Sequence, residues 1–303
     1  MDLAHRLQSF LRPHPPLPGQ GLRLAIWQGT GDAATPEAVA ANLERLEAVC
    51  ALAASHGAQL LAFPELYLSG YIVTPALARR LAEPADGPSL ERVAAAARRH
   101  GLAVACPYPE RALVAGQERF YDAIALFGPD GSLLRNYRKT HLWGPDEKLC
   151  WSPGYQHPEE GPAFTVQPVN GVGVGLLNCY EAEFPELTRA LARRGAQLVL
   201  IPTAADTWAR LSSGHRTDRP YPDVSRTLIP AHAFENDCFV AYANRCGEER
   251  VDGTVMAAYL GNSIICGPHG DVLVAARPEP SLLLRSEEHT SELQSHSDLV
   301  CRL

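Results

Sequence analysis

A cysteine stands where an apolar run ends and carboxylates begin. Residues 175–186 read GLLNCYEAEFPE, so Cys179 is followed by Glu181, Glu183 and Glu186. A thiolate is a strong nucleophile that can form a covalent intermediate with an acyl carbon. Neighbouring carboxylates oppose that ionisation, because they raise a thiol's pKa. Cys179 is therefore either an inert core thiol or a nucleophile that receives positive charge and a base from elsewhere. The segment NYRKTHLWGPDEK (136–148) offers the charge. Lys139 follows an amphipathic strand, and Glu147 lies eight residues on, past a Gly-Pro turn able to fold it back. The segment AFPELYLSGY (62–71) offers the base. Glu65 stands there at the end of an apolar strand among aromatic neighbours. Burial at such a place raises a carboxyl's pKa and lets it carry protons near pH 7.

Other chemistries find less support. His141, His215, His232 and His269 show no metal-ligand spacing such as H-E-x-x-H. GVGVG (171–175) is not a dinucleotide fingerprint and precedes a strand end, which points to tight strand packing. No G-x-S-x-G elbow occurs.

The elements that must position these groups are legible as short apolar runs and period-3.6 stretches. Strands are expected at 22–28, 59–65, 102–110, 171–179, 198–204, 238–247 and 261–276, with a hairpin over 119–142 turning at Gly128–Gly131. A long helix fits 35–57, with Thr35 as N-cap, Pro36 at N1 and Gly57 as the stop. Further helices fit 89–101 (Ser89 as cap, Gly101 as stop), 185–197 and 223–237. Helices alternate with strands early and hairpins follow later. That order indicates a mixed sheet with helices outside, in one layered α/β domain. In such folds ligands gather at the carboxyl ends of strands, where Glu65 and Cys179 both stand.

Composition narrows the function classes. The chain has 303 residues, 46% hydrophobic and 20% charged, with formal net charge −7. No basic stripe interleaved with aromatics occurs, which argues against nucleic acid as a partner. No apolar run approaches the roughly 20 residues that span a bilayer, and the first residues lack the apolar core of a secretory signal. The eight cysteines are scattered without C-x-x-C, a pattern expected in a reducing cytoplasm.

Taken in order, the motifs resemble those of one family. FPE…GY (63–71), YRKTHLWGPDE (137–147) and NCYEAEFPE (178–186) are similar to the glutamate, lysine and cysteine motifs of the nitrilase superfamily, the carbon–nitrogen hydrolases. AHAFENDCFVAYANRCG (231–247) and GNSIICGPHG (261–270) resemble two of its later segments. The resemblance runs from about Leu22 to about Ala276 and is nearest to small aliphatic amidases, including those acting on ω-amino-acid amides. It implies a four-layer αββα sandwich, commonly paired through a helical face into a homodimer or a higher homo-oligomer, with no cofactor. It implies a Glu65–Lys139–Cys179 triad, Glu147 as an additional site glutamate and the Tyr180 backbone N–H as an oxyanion donor. Tyr71, Trp143 and Trp208 are expected to contact substrate. The activity implied is hydrolysis of a small linear amide to acid and ammonia through a thioester. The alternatives are nitrile hydrolysis on the same triad and a non-catalytic member of the fold.

One electrostatic expectation accompanies the triad. A Lys ammonium about 4 Å from the sulfur is worth roughly 4 kcal/mol at an effective dielectric of 20, which would offset the adjacent carboxylates and favour the thiolate. Two positions depart from the family pattern: Asn178 replaces an apolar residue, and Glu181 stands where related amidases usually carry Asp. Residues 206–223 form an unusually long, Arg-rich connection. Its arginines either hold an acidic substrate end or are solvated.

Residues 21–284 are thus expected to form the hydrolase domain, preceded by a loose Pro-rich lead-in over 1–20. RSEEHTSELQS, which opens 285–303, resembles an in-frame translation of a sequencing-library adapter. The natural coding sequence is expected to end near Leu284. A tail encoded in genomic DNA would refute this.

Overall fold

The interior strands Gly21–Gln28 and Leu198–Thr203 are buried along their whole length, and alternate side chains face different apolar layers. The computed structural model describes residues 5–11, 13–71, 74–210, 216, 219–251 and 253–288. The first half contains β1 (Arg6–Phe10), β2 (Gly21–Gln28), α1 (Pro36–Ser55), β3 (Leu60–Ala62), α2 (Pro75–Leu81), α3 (Pro88–His100), β4 (Ala103–Val114), β5 (Gln117–Phe127), β6 (Leu133–Arg138) and α4 (Gly144–Cys150). The second half contains β7 (Val166–Val169), β8 (Val172–Leu176), α5 (Pro185–Ala192), β9 (Leu198–Thr203), β10 (Asp206–Ala209), α6 (Val224–Asn236), β11 (Phe239–Asn244), β12 (Cys246–Val251), β13 (Thr254–Leu260), β14 (Ile264–Cys266), β15 (Val272–Ala275) and β16 (Ser281–Glu288).

Two large sheets result. One has the order β1-β16-β2-β3-β4-β5-β6, the other β15-β14-β11-β9-β8-β7. On β2, Leu22, Leu24 and Ile26 join the apolar layer that also holds Val174, Leu198 and Leu200 of the second sheet. Ala25 and Trp27, at the intervening positions, pack instead with Leu46, Val49 and Val93 of α1 and α3. On β9, Val199 and Ile201 turn outward to Leu187, Leu191 and Ile229 of α5 and α6. Three apolar layers therefore separate four structural ones, in the order helix, sheet, sheet, helix. The strand-and-helix periodicity pointed only to one mixed sheet; the αββα sandwich expected from the family resemblance is what forms.

Local chemistry explains the element ends. Thr35 Oγ1 accepts from the Ala38 N–H at 3.0 Å, Pro36 opens α1, and Gly57 follows it at φ +73°. The first turn of α3 differs from the expectation: Gly87 is the N-cap, and the Ser89 N–H donates to Glu83 Oε2 at 3.0 Å. The GVGVG glycines are packing glycines, since a Cβ on Gly173 would lie 2.4 Å from the Gly195 carbonyl oxygen.

Three elements correct the expected organisation. The lead-in is not wholly loose, because β1 pairs in parallel with β16 from Arg6↔Ser281 to Phe10↔Arg285. Its pairing partner lies at the far end of the described chain, so no local hairpin signal announces it. The β16 ladder continues past Leu284, in register with β2 as far as Glu288↔Gly21; residues 289–303 lie outside the described residues. A third, three-stranded sheet, β10-β13-β12, also forms; β10 lies in the polar connection 206–223, and β13 in a stretch for which no element was expected. Among the described residues no helix is long and apolar enough to cross a membrane.

Candidate active site

Glu65, Lys139 and Cys179 each stand just beyond the end of a strand. Pro64 ends the strand path after β3, and Glu65 follows, fully buried. Its turn is strained: Leu66 has φ +46°, a region costly for a side chain with a Cβ. Arg245, also fully buried, secures that turn by donating from Nε to the Glu65 carbonyl (3.0 Å) and from Nη2 to the Leu66 carbonyl (2.7 Å). Glu249 balances the guanidinium charge at 3.2 Å.

Lys139 directly follows β6, and its N–H donates to the Asp122 carbonyl at 2.9 Å. Its ammonium donates to Glu65 Oε1 at 2.6 Å and to Glu147 Oε1 at 2.8 Å, and lies 3.6 Å from Asp122 Oδ2. Glu147 is brought back by the first turn of α4, as the Gly-Pro turn suggested. Its other oxygen accepts from the Trp143 N–H at 2.7 Å, and the Tyr71 hydroxyl donates to Oε1 at 2.7 Å. Glu65, Asp122 and Glu147 each present an oxygen within 4.8 Å of the others. That spacing would suit a hard cation; here the Lys139 ammonium supplies the positive charge.

Asp122 is a site residue that motif reading missed. Its signal was a lone carboxylate inside the apolar strand FYDAIALF (120–127). It is fully buried, and burial, then the charge of Glu65, pushes its carboxyl well above the ordinary aspartate range. Burial likewise raises Glu147, with Lys139 opposing. Asp122 Oδ1 accepts from Asn178 Nδ2 at 2.9 Å. Asn178, the residue before the thiol, thus ties the carboxylate cluster to the turn that carries Cys179, which accounts for a polar side chain where the family pattern is apolar.

Cys179 opens a short 3-10 segment, Cys179–Glu183, beyond the end of β8. It is half-buried and has φ +51°, a strained turn of the kind that concentrates at functional sites. Glu181, the carboxylate nearest to it in sequence, is a fastener. Its oxygens accept from the Asn178 N–H (2.8 Å), the Thr140 N–H (2.7 Å), the Thr140 hydroxyl and the Tyr137 hydroxyl (2.8 Å). It thereby ties the thiol's turn to the strand end that carries Lys139. Glu181→Ala leaves several buried donors without an acceptor, each costing about 1–3 kcal/mol. The expected result is a loss of at least about 3 kcal/mol in urea unfolding, and a loss below about 1 kcal/mol would show that water replaces the carboxylate.

The thiol's ionisation departs from the expectation. Burial, followed by Glu65 and Glu147, holds the Cys179 pKa well above the ordinary thiol value, while Lys139 and the Ala204 N–H oppose the rise. Lys139 does not produce a standing thiolate because its ammonium is already shared among three carboxylates. At rest the sulfur is therefore held as a thiol. Glu65 Oε2 is buried and accepts no hydrogen bond among the described residues.

The sulfur faces a cleft of about 440 Å3, part of it open to solvent. Tyr71, Trp143 and Tyr180 line it, as do Tyr221, Tyr242, Glu183 and Asp206, which sequence reasoning did not single out. Tyr180 lies in the first turn of the 3-10 segment, where backbone N–H groups have no intrahelical acceptor. Trp208 is not part of this lining. A bulge in β10 between Asp206 and Trp208 breaks the facing pattern, and the Arg216 guanidinium stacks 5.0 Å from the Trp208 ring.

Comparison with known proteins shows the family and the fold. Residues 23–286 match the family model for carbon-nitrogen hydrolase. The chain is 39% identical over 263 residues to a Pseudomonas protegens protein described as "Hydrolase in pqqF 5'region", covering 87% of this chain and 81% of that one. It is 40% identical over 217 residues to an (R)-stereoselective amidase of a Pseudomonas species, covering 72% and 68%. A solved structure of the Nesterenkonia AN1 amidase from the nitrilase superfamily, a cysteine-to-alanine mutant, superposes with TM-score 0.73 at 32% identity, covering 95% of this chain and 98% of that one. Another structure of that amidase carries the acetamide moiety of fluoroacetamide at its active site cysteine, with TM-score 0.68 at 30% identity, covering 96% and 99%.

Proposed function

The chain belongs to the carbon–nitrogen hydrolase family and is a cysteine-dependent amidase, and on that premise we propose that Glu65, Lys139 and Cys179, with Glu147, hydrolyse a small linear amide to a carboxylic acid and ammonia. The observation that carries these roles is the Lys139 ammonium held at 2.6 and 2.8 Å by Glu65 and Glu147 beside the strained turn of Cys179.

The chemistry follows from the resting charges. Glu65 takes the thiol proton as the sulfur bonds to the amide carbonyl carbon. Lys139 and the Tyr180 N–H stabilise the oxyanion, in a partly dry site where fixed donors act strongly. The tetrahedral adduct collapses, the C–N bond breaks, and Glu65 returns the proton to the departing nitrogen, which leaves as ammonia. A thioester remains. Glu65 then takes a proton from a water that attacks the acyl carbon; the C–S bond breaks, the acid departs and the thiol is reprotonated. No step draws on a cofactor. Glu147 anchors Lys139 and the Trp143 backbone, and so sets the ammonium's position.

Matched substrates test the choice between amide and nitrile. Ammonia release from butanamide is expected to exceed that from butyronitrile by at least about tenfold in kcat/KM, a difference of about 1.4 kcal/mol in barrier; faster turnover of the nitrile would reverse the assignment.

The remaining partners are of the same proposed kind. A homodimer through the α5–α6 layer is supported by Phe234 on α6, which is 68% exposed. A reducing, cytoplasmic setting is supported by the cysteines of the described residues, all of them free.

A further inference from the structure

The charge inventory of the cleft bears on what lies at the other end of the amide. Two lining side chains carry a formal charge, Glu183 and Asp206, and both are negative. No lysine, arginine or histidine is among the described residues that line the cleft. Glu183 is fixed in place: its Oε1 accepts from the Tyr221 hydroxyl. That contact and the carboxylate's charge, after burial, push the phenol well up, so Tyr221 remains a donor. Tyr221 in turn packs edge-on against Trp143, with ring centroids 6.0 Å apart at 71°. Among the described residues Glu183 has no ion-pair partner.

The distance is also constrained. Cys179 and Glu183 are the two ends of one 3-10 segment, so a rise of about 2.0 Å per residue separates their backbones by about 8 Å along its axis. Both side chains turn into the same cleft. A substrate acylating the sulfur has room for only a short chain before it reaches the carboxylate.

Aromatic walls around an anchored carboxylate attract a cation, both through the ring faces and through direct pairing. The same wall repels a substrate ending in a carboxylate. Arg210, Arg216 and Arg219, the arginines of 206–223, are not among the residues that line the cleft, and Arg216 stacks over Trp208. We propose that the substrate is a short-chain amide whose other end is an ammonium group, and that Glu183 is the specificity-determining counter-ion that receives it. This inference rests on the amidase reading of the same cleft.

Three amides of nearly equal size test it: 3-aminopropanamide, butanamide and succinamate. The expected order of kcat/KM places 3-aminopropanamide first, by at least about tenfold over butanamide, as one close charge pair provides. Succinamate is expected last. In Glu183→Gln the ratio of the cationic to the neutral amide falls by at least about tenfold. Should that variant fail to fold, inhibition of the unaltered enzyme serves instead, with propylammonium expected to compete with butanamide and propionate not to compete. Equal or better hydrolysis of butanamide or succinamate overturns the inference and leaves the amidase reading standing. An unchanged ratio in Glu183→Gln, or inhibition by propionate alone, overturns it in the same way. Hydrolysis of none of the three amides overturns the amidase reading and this inference with it.

Discussion

Cys179→Ala is expected to lower ammonia release by on the order of 10^4-fold or more, the scale lost when a covalent nucleophile is removed. The fold is expected to survive, because the side chain is half-buried and its removal leaves no charge uncompensated. Far-ultraviolet circular dichroism and the unfolding midpoint check that point. Rapid-quench mass spectrometry checks the chemistry: the unaltered chain carries a transient acyl adduct on the peptide containing Cys179, and the variant carries none. The raised thiol pKa makes this more than a generic cysteine test. A preformed thiolate would react with alkylating agents independently of Glu65. A thiol deprotonated during attack depends on that base, so Glu65→Gln should suppress acylation almost as fully as loss of the sulfur. Activity within tenfold of the unaltered chain in Cys179→Ala would remove the nucleophile assignment.

Lys139→Gln is expected to damage the fold as well as the chemistry. The ammonium is fully buried and shared by Glu65, Glu147 and Asp122. Breaking a buried ion pair from one side leaves uncompensated charge and costs about 3–5 kcal/mol. The loss is pH-dependent, and its sign follows from the carboxyls. Burial already raises Asp122 and Glu147 above their ordinary values, and Lys139 opposes both shifts. Without the ammonium the folded-state values rise further, while unfolded carboxyls stay near about 4. Across the window between, the folded chain binds more protons than the unfolded one, so its stability falls as pH rises. Lys139→Gln should therefore recover stability on acidification from pH 7.5 toward pH 5, measured by urea unfolding at both. Equal stability at both pH values would mean that the three carboxylates do not share the ammonium.

The parts of the site that local sequence announces are those at strand ends. Glu65 and Cys179 each follow an apolar run, Lys139 follows an amphipathic strand, and each travels with a recognisable motif. Glu147 was legible because Gly144-Pro145 turns the chain back within eight residues of Lys139. Asp122 was not flagged, since one carboxylate inside an apolar strand becomes informative only when the element facing it is known. The ionisation of Cys179 was read with the wrong sign for a related reason. A sequence shows this lysine and this thiol in separate motifs, but the field at the sulfur sums Glu65 after β3, Lys139 after β6 and Glu147 on α4, on top of burial. Trp208 failed through a bulge in β10, because one extra residue reverses which face a side chain takes. Glu183 was read merely as one more carboxylate beside the thiol, whereas the fold separates the three by function: Glu181 fastens, Glu183 lines the cleft, and Glu186 is exposed.

The position of β16 has a consequence for biosynthesis. Ser281–Glu288, the last strand of the described chain, lies between β1 and β2, parallel to the first and antiparallel to the second. A nascent chain holding everything up to β15 has a complete triad sequence but a gap inside its first sheet. The edge of β2 then presents unpaired backbone groups, a template for association with other chains, until Ser281–Glu288 clears the ribosome and slots in. Emergence of that strand, more than of any motif that carries the chemistry, sets the moment at which the enzyme can close.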